Sequence, residues 1–127
     1  MKLVLQGEPR TKKNSQRIIM AGRYPKLLPS KAYVDYEEAC LWQIPGWARV
    51  HLDNSINLEC VYYMATRRKV DLANLLEATC DILVKAGVIA DDNSSIVASH
   101  DGSRVSYDKN NPRVEITIEE DTHGTDG

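Results

Sequence analysis

Apolar and polar residues alternate over Ser55–Ala65. Ile56, Leu58, Cys60, Tyr62 and Met64 fall on one face, and Asn57, Glu59, Val61 and Tyr63 on the other. A period of two over this length predicts a strand with one buried face. Shorter alternations predict a first strand over Lys2–Gln6, ended by Gly7, and a last one over Val114–Ile118. Ile18, Ile19 and Met20 begin a second short strand closed by Gly22, a hairpin-like start. Two more strands are expected over Ile96–His100 and Arg104–Tyr107.

The period changes in two places. Ser30 is a good N-cap for a helix over Lys31–Gln43, with Tyr33, Tyr36 and Cys40 on its buried face, joined by Val34 and Leu41. Pro45 and Gly46 stop it. Asp71 caps a second helix over Leu72–Lys85, whose stripe Leu72, Leu75, Leu76, Thr79, Leu83 and Ala86 turns to a core, with Gly87 as its stop. The expected architecture is α+β: a small mixed sheet with two main helices. One domain is expected over residues 1–119, followed by an acidic, disordered tail over 120–127. The aromatics Trp42, Trp47, Tyr33 and Tyr36 are expected in the core, and the histidines at the surface or satisfied.

Length and composition narrow this picture. At 127 residues the chain suits one domain, large enough to bury a core without disulfides or metal. No apolar run approaches the ~18–20 residues of a membrane span, and Met1 leads into a polar, basic segment with no signal-peptide core. Cys40, Cys60 and Cys80 are odd in number and lack C-x-x-C spacing, so they read as buried hydrophobes of a cytoplasmic protein.

Charge is divided along the chain. Residues 1–69 carry 12 Lys and Arg against 6 Asp and Glu, net +6; residues 70–127 carry 4 against 12, net −8. The basic half is concentrated in the loop with Arg10, Lys12, Lys13 and Arg17 and in Arg67-Arg68-Lys69, groups able to neutralise phosphates. The acidic half is concentrated on one stripe of the second helix. Asn74, Glu77, Asp81 and Lys85 line up there, Asp71 lies just off it, and Asp91-Asp92 follow in the next loop. Lys85, one turn from Asp81, is expected to pair with it. Oxygen donors without His or Cys suit Mg²⁺ or Mn²⁺ and not zinc. A solvated helix face plus an Asp-Asp-Asn turn explains the same residues equally well.

The run Val70-Asp71-Leu72-Ala73-Asn74-Leu75-Leu76-Glu77, then Asp81-Ile82-Leu83, then Ala86-Gly87-Val88-Ile89-Ala90-Asp91-Asp92, resembles the core signature of RusA-type Holliday-junction resolvases. Gly7–Asn14 is similar to that family's N-terminal basic loop, and Pro29–Tyr33 and Pro112–Ile116 also follow the pattern. The resemblance implies a homodimer that nicks four-way DNA junctions symmetrically, using Mg²⁺ held by carboxylates, with Mn²⁺ able to substitute. It implies Asp71 and Asp92 as the essential aspartates with Asp91 beside them, and Asn74 and Asp81 as matching helix positions. Two positions depart: Ala73 stands where well-known members have a second aspartate, and Glu77 where they have a lysine. Members reading Asp-x-x-Asn-x-x-Glu make Glu77 the replacement ligand. Tyr62, Tyr63 and Trp47 are the expected dimer contacts. The alternatives are a branched-DNA binder of the same fold that has lost chemistry, and a small metal-dependent hydrolase with no DNA role.

Overall fold

The computed structural model describes residues 1–12 and 16–121, in the order β1 (Lys2–Gln6), β2 (Gln16–Ala21), β3 (Tyr24–Pro29), α1 (Lys31–Gln43), β4 (Ile56–Met64), α2 (Leu72–Ala86), β5 (Val97–Ser99), β6 (Arg104–Tyr107) and β7 (Arg113–Glu120). A five-stranded mixed sheet runs β1-β7-β4-β5, with β6 also pairing β4. β1 and β4 are both antiparallel to β7, whereas β5 and β6 are parallel to β4. The parallel pairing follows from connectivity: α2 carries the chain across the sheet between β4 and β5, which a hairpin turn cannot do.

The alternating face of β4 is the floor of the core. Ile56, Leu58, Cys60, Tyr62 and Met64 are all buried, together with Leu3 and Leu5 of β1 and Val114, Ile116 and Ile118 of β7. The two helices cover this floor. Tyr33, Tyr36 and Cys40 of α1 and Leu75, Ala78, Thr79, Cys80, Ile82, Leu83 and Ala86 of α2 are buried, while Leu72 and Leu76 are only partly so. The buried face of α2 is therefore broader than the expected stripe. All three cysteines are free and buried. Buried polar atoms are satisfied: the Tyr62 hydroxyl lies 2.7 Å from the Thr79 hydroxyl, which donates to the Leu75 carbonyl at 3.0 Å.

The helix ends obey local chemistry. Ser30 Oγ accepts from the Tyr33 N–H at 3.2 Å, and Asp71 Oδ1 from the Ala73 N–H at 2.9 Å. Gly87 takes the left-handed conformation that ends α2 (φ 77°). The Arg49 guanidinium adds a tie between helices, donating to the carbonyls of Leu41 and Ile44 at the end of α1 and of Ala86 in α2.

The structure corrects several expectations. β3 is a strand that the alternation does not predict, and it completes a separate two-stranded hairpin with β2. Trp42 and Val34 are exposed because α1 turns Tyr33, Tyr36 and Cys40 to the core, and Trp47, in the single turn Gly46–Ala48 that buries Ala48 instead, is 64% exposed. Tyr62 is buried within its own chain and is no dimer contact. The last strand runs on to Glu120, and the buried Asp121 bonds to Ser55 through backbone and side chain, so the fold extends past residue 119. Residues 122–127, which include most of the expected tail and His123, lie outside the described residues, as do Lys13 and the side chain of Arg17.

Candidate active site

The N-terminus of α2 stands beside a groove of about 280 Å³ whose cations come from both ends of the basic half of the chain. Arg10 and Thr11 of the N-terminal loop form one wall, and Arg68, Lys69 and Val70 the other. Two hydrogen bonds bring that loop here: Gly7 N–H donates to the Pro112 carbonyl at 3.0 Å, and Glu8 Oε2 accepts from the Ala65 N–H at 3.2 Å. Arg67 turns away from the groove and lays its guanidinium over the Tyr107 ring, 4.3 Å from the centroid. The expected basic cluster thus divides. Arg68 and Lys69 join Arg10, while Arg67 lines a neighbouring hollow with Tyr107.

One turn further along α2 the surface becomes acidic. A shallow cleft of about 340 Å³ is lined by Ala73, Glu77 and Cys80 of α2, by Asp92, and by His100 just after β5. Asp92 reaches this place because the chain leaving α2 is tied to the loop before β4: Leu52 and His51 N–H groups donate to Val88 and Gly87 carbonyls at 2.9 Å, and Ala90 N–H to the Leu52 carbonyl at 2.9 Å. The carboxylates differ in state. Asp91 accepts from the Asp92 N–H at 2.7 Å, which holds its carboxyl below the ordinary value. Desolvation and the neighbouring Asp91 and Asp81 hold the Asp92 carboxyl above its ordinary value. Asp92, Asp81 and Glu77 together also act on the buried Cys80 thiol, after burial itself, to push it up to about 12. These are the signatures of negative charge gathered along one edge.

The expected ligands come together only in part: Glu77 and Asp92 line one cleft, with Asp91 and Asp81 acting on Asp92, and Asp71 does not line it. Among the described residues, no three His, Cys, Asp or Glu side chains stand close enough together to hold a metal ion. Asp71 is engaged as the helix cap, and Asp81 receives the Lys12 ammonium at 2.6 Å. Lys85 does not pair with Asp81 as expected; it crosses to Glu37 of α1 at 2.7 Å, because its long stem reaches the neighbouring helix. The donor set nonetheless fits a hard cation in kind: carboxylate oxygens, one of them raised by desolvation and by neighbouring carboxylates.

His100 joins the cleft without a signal that sequence reasoning could have used. Its Nδ1 lies 2.9 Å from the Leu58 carbonyl, so that nitrogen carries the proton and the ring is fixed beside the acids. Only the pairing of β5 with β4 brings it there.

A family model described as endodeoxyribonuclease RusA matches residues 6–119. No curated protein matches the chain. No described helix is long and apolar enough to cross a membrane.

Proposed function

Because the chain belongs to the RusA endodeoxyribonuclease family, we propose that it is a Mg²⁺-dependent, cytoplasmic endodeoxyribonuclease that resolves four-way DNA junctions by paired symmetric nicks. The observation that carries this reading is the adjacency, on one helix, of a cation-lined groove and a carboxylate edge.

In this reading Arg10, Arg68 and Lys69 bind the DNA backbone and fix its register, because phosphate contacts position without reading sequence. Asp71, Glu77, Asp91 and Asp92 would hold Mg²⁺, with Asp81 behind them, and the ion would supply Lewis-acid polarisation of the phosphoryl oxygen and an acidic bound water. The residues' own part is to bind and orient. Asp91, anchored to the Asp92 backbone, keeps the loop turned toward α2. Asp92, whose carboxyl is held above its ordinary value by desolvation and the neighbouring Asp91 and Asp81, would be relieved by a cation. His100 lines the same cleft, with Asp92 and Glu77. Two symmetric nicks need two such sites about a two-fold axis, so a homodimer is part of the proposal. The exposed Trp47 remains a candidate contact for it.

A second reading has its own support. Ala73 brings no carboxylate to the cleft, and the described donors form no ready cage, which favours a branched-DNA binder that has lost chemistry. The test is a labelled four-way junction incubated with the protein, with and without Mg²⁺, and run on a denaturing gel. Paired cuts at symmetric positions establish the first reading. An intact junction that is nonetheless bound in preference to linear duplex establishes the second.

A further inference from the structure

The Lys12–Asp81 pair joins the two regions of the site, and the function proposed above assigns the lysine no role of its own. Resting on that reading, we propose that Lys12 is a catalytic residue whose ammonium takes a non-bridging oxygen of the scissile phosphate, and that Asp81 is the positioning residue that holds it there.

The geometry distinguishes Lys12 from the groove cations. Its Nζ lies 2.6 Å from Asp81 Oδ2 and 5.8 Å from the centroid of the Tyr33 ring. Tyr33 is itself fixed, 1% exposed, with its hydroxyl donating to Glu37 at 3.2 Å, and Glu37 in turn receives Lys85. A lysine that merely neutralises backbone charge has no need of a cradle of this kind. Lys12 is held between an anion and an aromatic face, both carried on helices.

The electrostatics place that ammonium with the acids. Asp81 acts on the Asp92 carboxyl and, alongside Asp92 and Glu77, on the Cys80 thiol, so it belongs to the same edge. A phosphodiester approaching Asp71, Glu77, Asp81, Asp91 and Asp92 meets repulsion, which a fixed cation at the edge offsets. Lys85, the nearest cation on the same helix, is committed to Glu37. Lys12 meets the requirement, since an ammonium has three donors, and one directed at Asp81 leaves others for phosphate oxygens. About a third of its side chain remains exposed, so it is accessible to a strand in the cleft.

The rival explanation is a staple, in which the pair only fastens the N-terminal loop to α2. Rate, affinity and stability separate the two. The full chain and its variants are assayed by single-turnover cleavage of a labelled junction in Mg²⁺ at saturating protein, by fluorescence anisotropy of the complex in EDTA, and by thermal melting. Lys12→Ala should lower the saturating rate on the order of 10²-fold, as loss of a preorganised charge-stabilising donor does. Its Kd in EDTA should move by less than about threefold, a small share of the many phosphate contacts. Lys12→Arg, which keeps the charge and can still reach Asp81, should retain a rate within about tenfold of wild type. Asp81→Asn should slow cleavage less than Lys12→Ala, and the double variant should cut no more slowly than Lys12→Ala alone, because the two act as a unit.

A Lys12→Ala rate that returns to wild type at saturating protein overturns the proposal, as does a loss of rate that tracks a lowered melting temperature across Lys12→Ala and Lys12→Arg alike. Multiplying effects of the two substitutions overturn the positioning role of Asp81. A wild-type protein that leaves the junction uncut refutes the nuclease reading itself, and the inference with it.

Discussion

The groove draws its cations from two segments far apart in the chain, Arg10 from the N-terminal loop and Arg68 and Lys69 from the loop between β4 and α2. The acid edge draws its carboxylates from one stretch, Asp71 to Asp92. The groove exists only because the Glu8–Ala65 and Gly7–Pro112 bonds bring its walls together. The acids are close in sequence, yet three of them are held by different partners: Asp71 by Ala73, Asp81 by the distant Lys12, Asp91 by the Asp92 backbone. In the proposed reading, the fold as it stands offers cations to a polyanion, whereas cleavage would need the carboxylates drawn onto a common centre. DNA binding should persist in EDTA, and cutting should not.

The sharpest way to break this contrast is at Asp92. Asp92→Asn removes the carboxylate that lines the acid cleft beside Glu77 and should reduce cleavage by on the order of 10³-fold while leaving junction Kd in EDTA unchanged or tighter. Near-normal cutting would remove Asp92 from the ligand set. Glu77→Gln comes next. With Glu77 on the cleft wall beside Ala73, the substitution should cost on the order of 10²-fold in limiting Mg²⁺, with partial recovery in Mn²⁺. A wild-type rate in limiting Mg²⁺ would return Glu77 to the role of a surface residue.

The groove should respond in the opposite sense. Arg68→Ala with Lys69→Ala should weaken junction binding while leaving the saturating rate nearly intact. The slope of log K against log salt should flatten by about 0.9 for each phosphate that is no longer neutralised. An unchanged slope would mean that the DNA runs elsewhere.

The smallest expected effect lies outside both regions. Arg113 binds Asp108 at 2.9 Å and Glu115 at 2.8 Å and lies over the Tyr63 ring, holding both carboxyls below their ordinary values of 3.8 and 4.5. Lowered carboxyl pKa values give stability that is present above those ordinary values and lost as the pH falls through the folded-state ones. The wild-type melting temperature should therefore fall more between pH 5 and 3 than that of Arg113→Gln, a small difference because solvent screens these exposed pairs. Parallel pH curves for the two proteins would show that the network does not couple to folding.

What can be read from the sequence divides along the same line. The first helix begins and ends where Ser30 and Pro45 dictate, and β4 follows its own alternation, because caps and periods are local. β3 escapes because Tyr24–Pro29 carries two prolines and no alternation, a pattern tolerated in a two-stranded hairpin whose outer edges need no ladder bonds. The exposure of Trp42 is decided by which side of α1 meets the sheet, a tertiary choice that an aromatic's own hydrophobicity does not announce. The carboxylates are legible as a set because they lie close in sequence. Their partners are not, since Lys12 to Asp81 and Lys85 to Glu37 are decided by the packing of loop and helix against helix.

The three buried cysteines give the fold a set of built-in chemical clocks. One sits on each principal element: Cys40 on α1, Cys60 on β4 and Cys80 on α2. Burial pushes their thiols up to about 11, 12 and 12 respectively, so in neutral buffer almost no thiolate is present to meet an alkylating reagent. Modification must then wait for the element that carries the sulfur to open. Mass spectrometry of time-resolved alkylation would read three separate opening equilibria from one unmodified chain. Cys80, whose helix borders the acid cleft, would report directly whether Mg²⁺ quiets that helix while Cys40 and Cys60 keep their own pace.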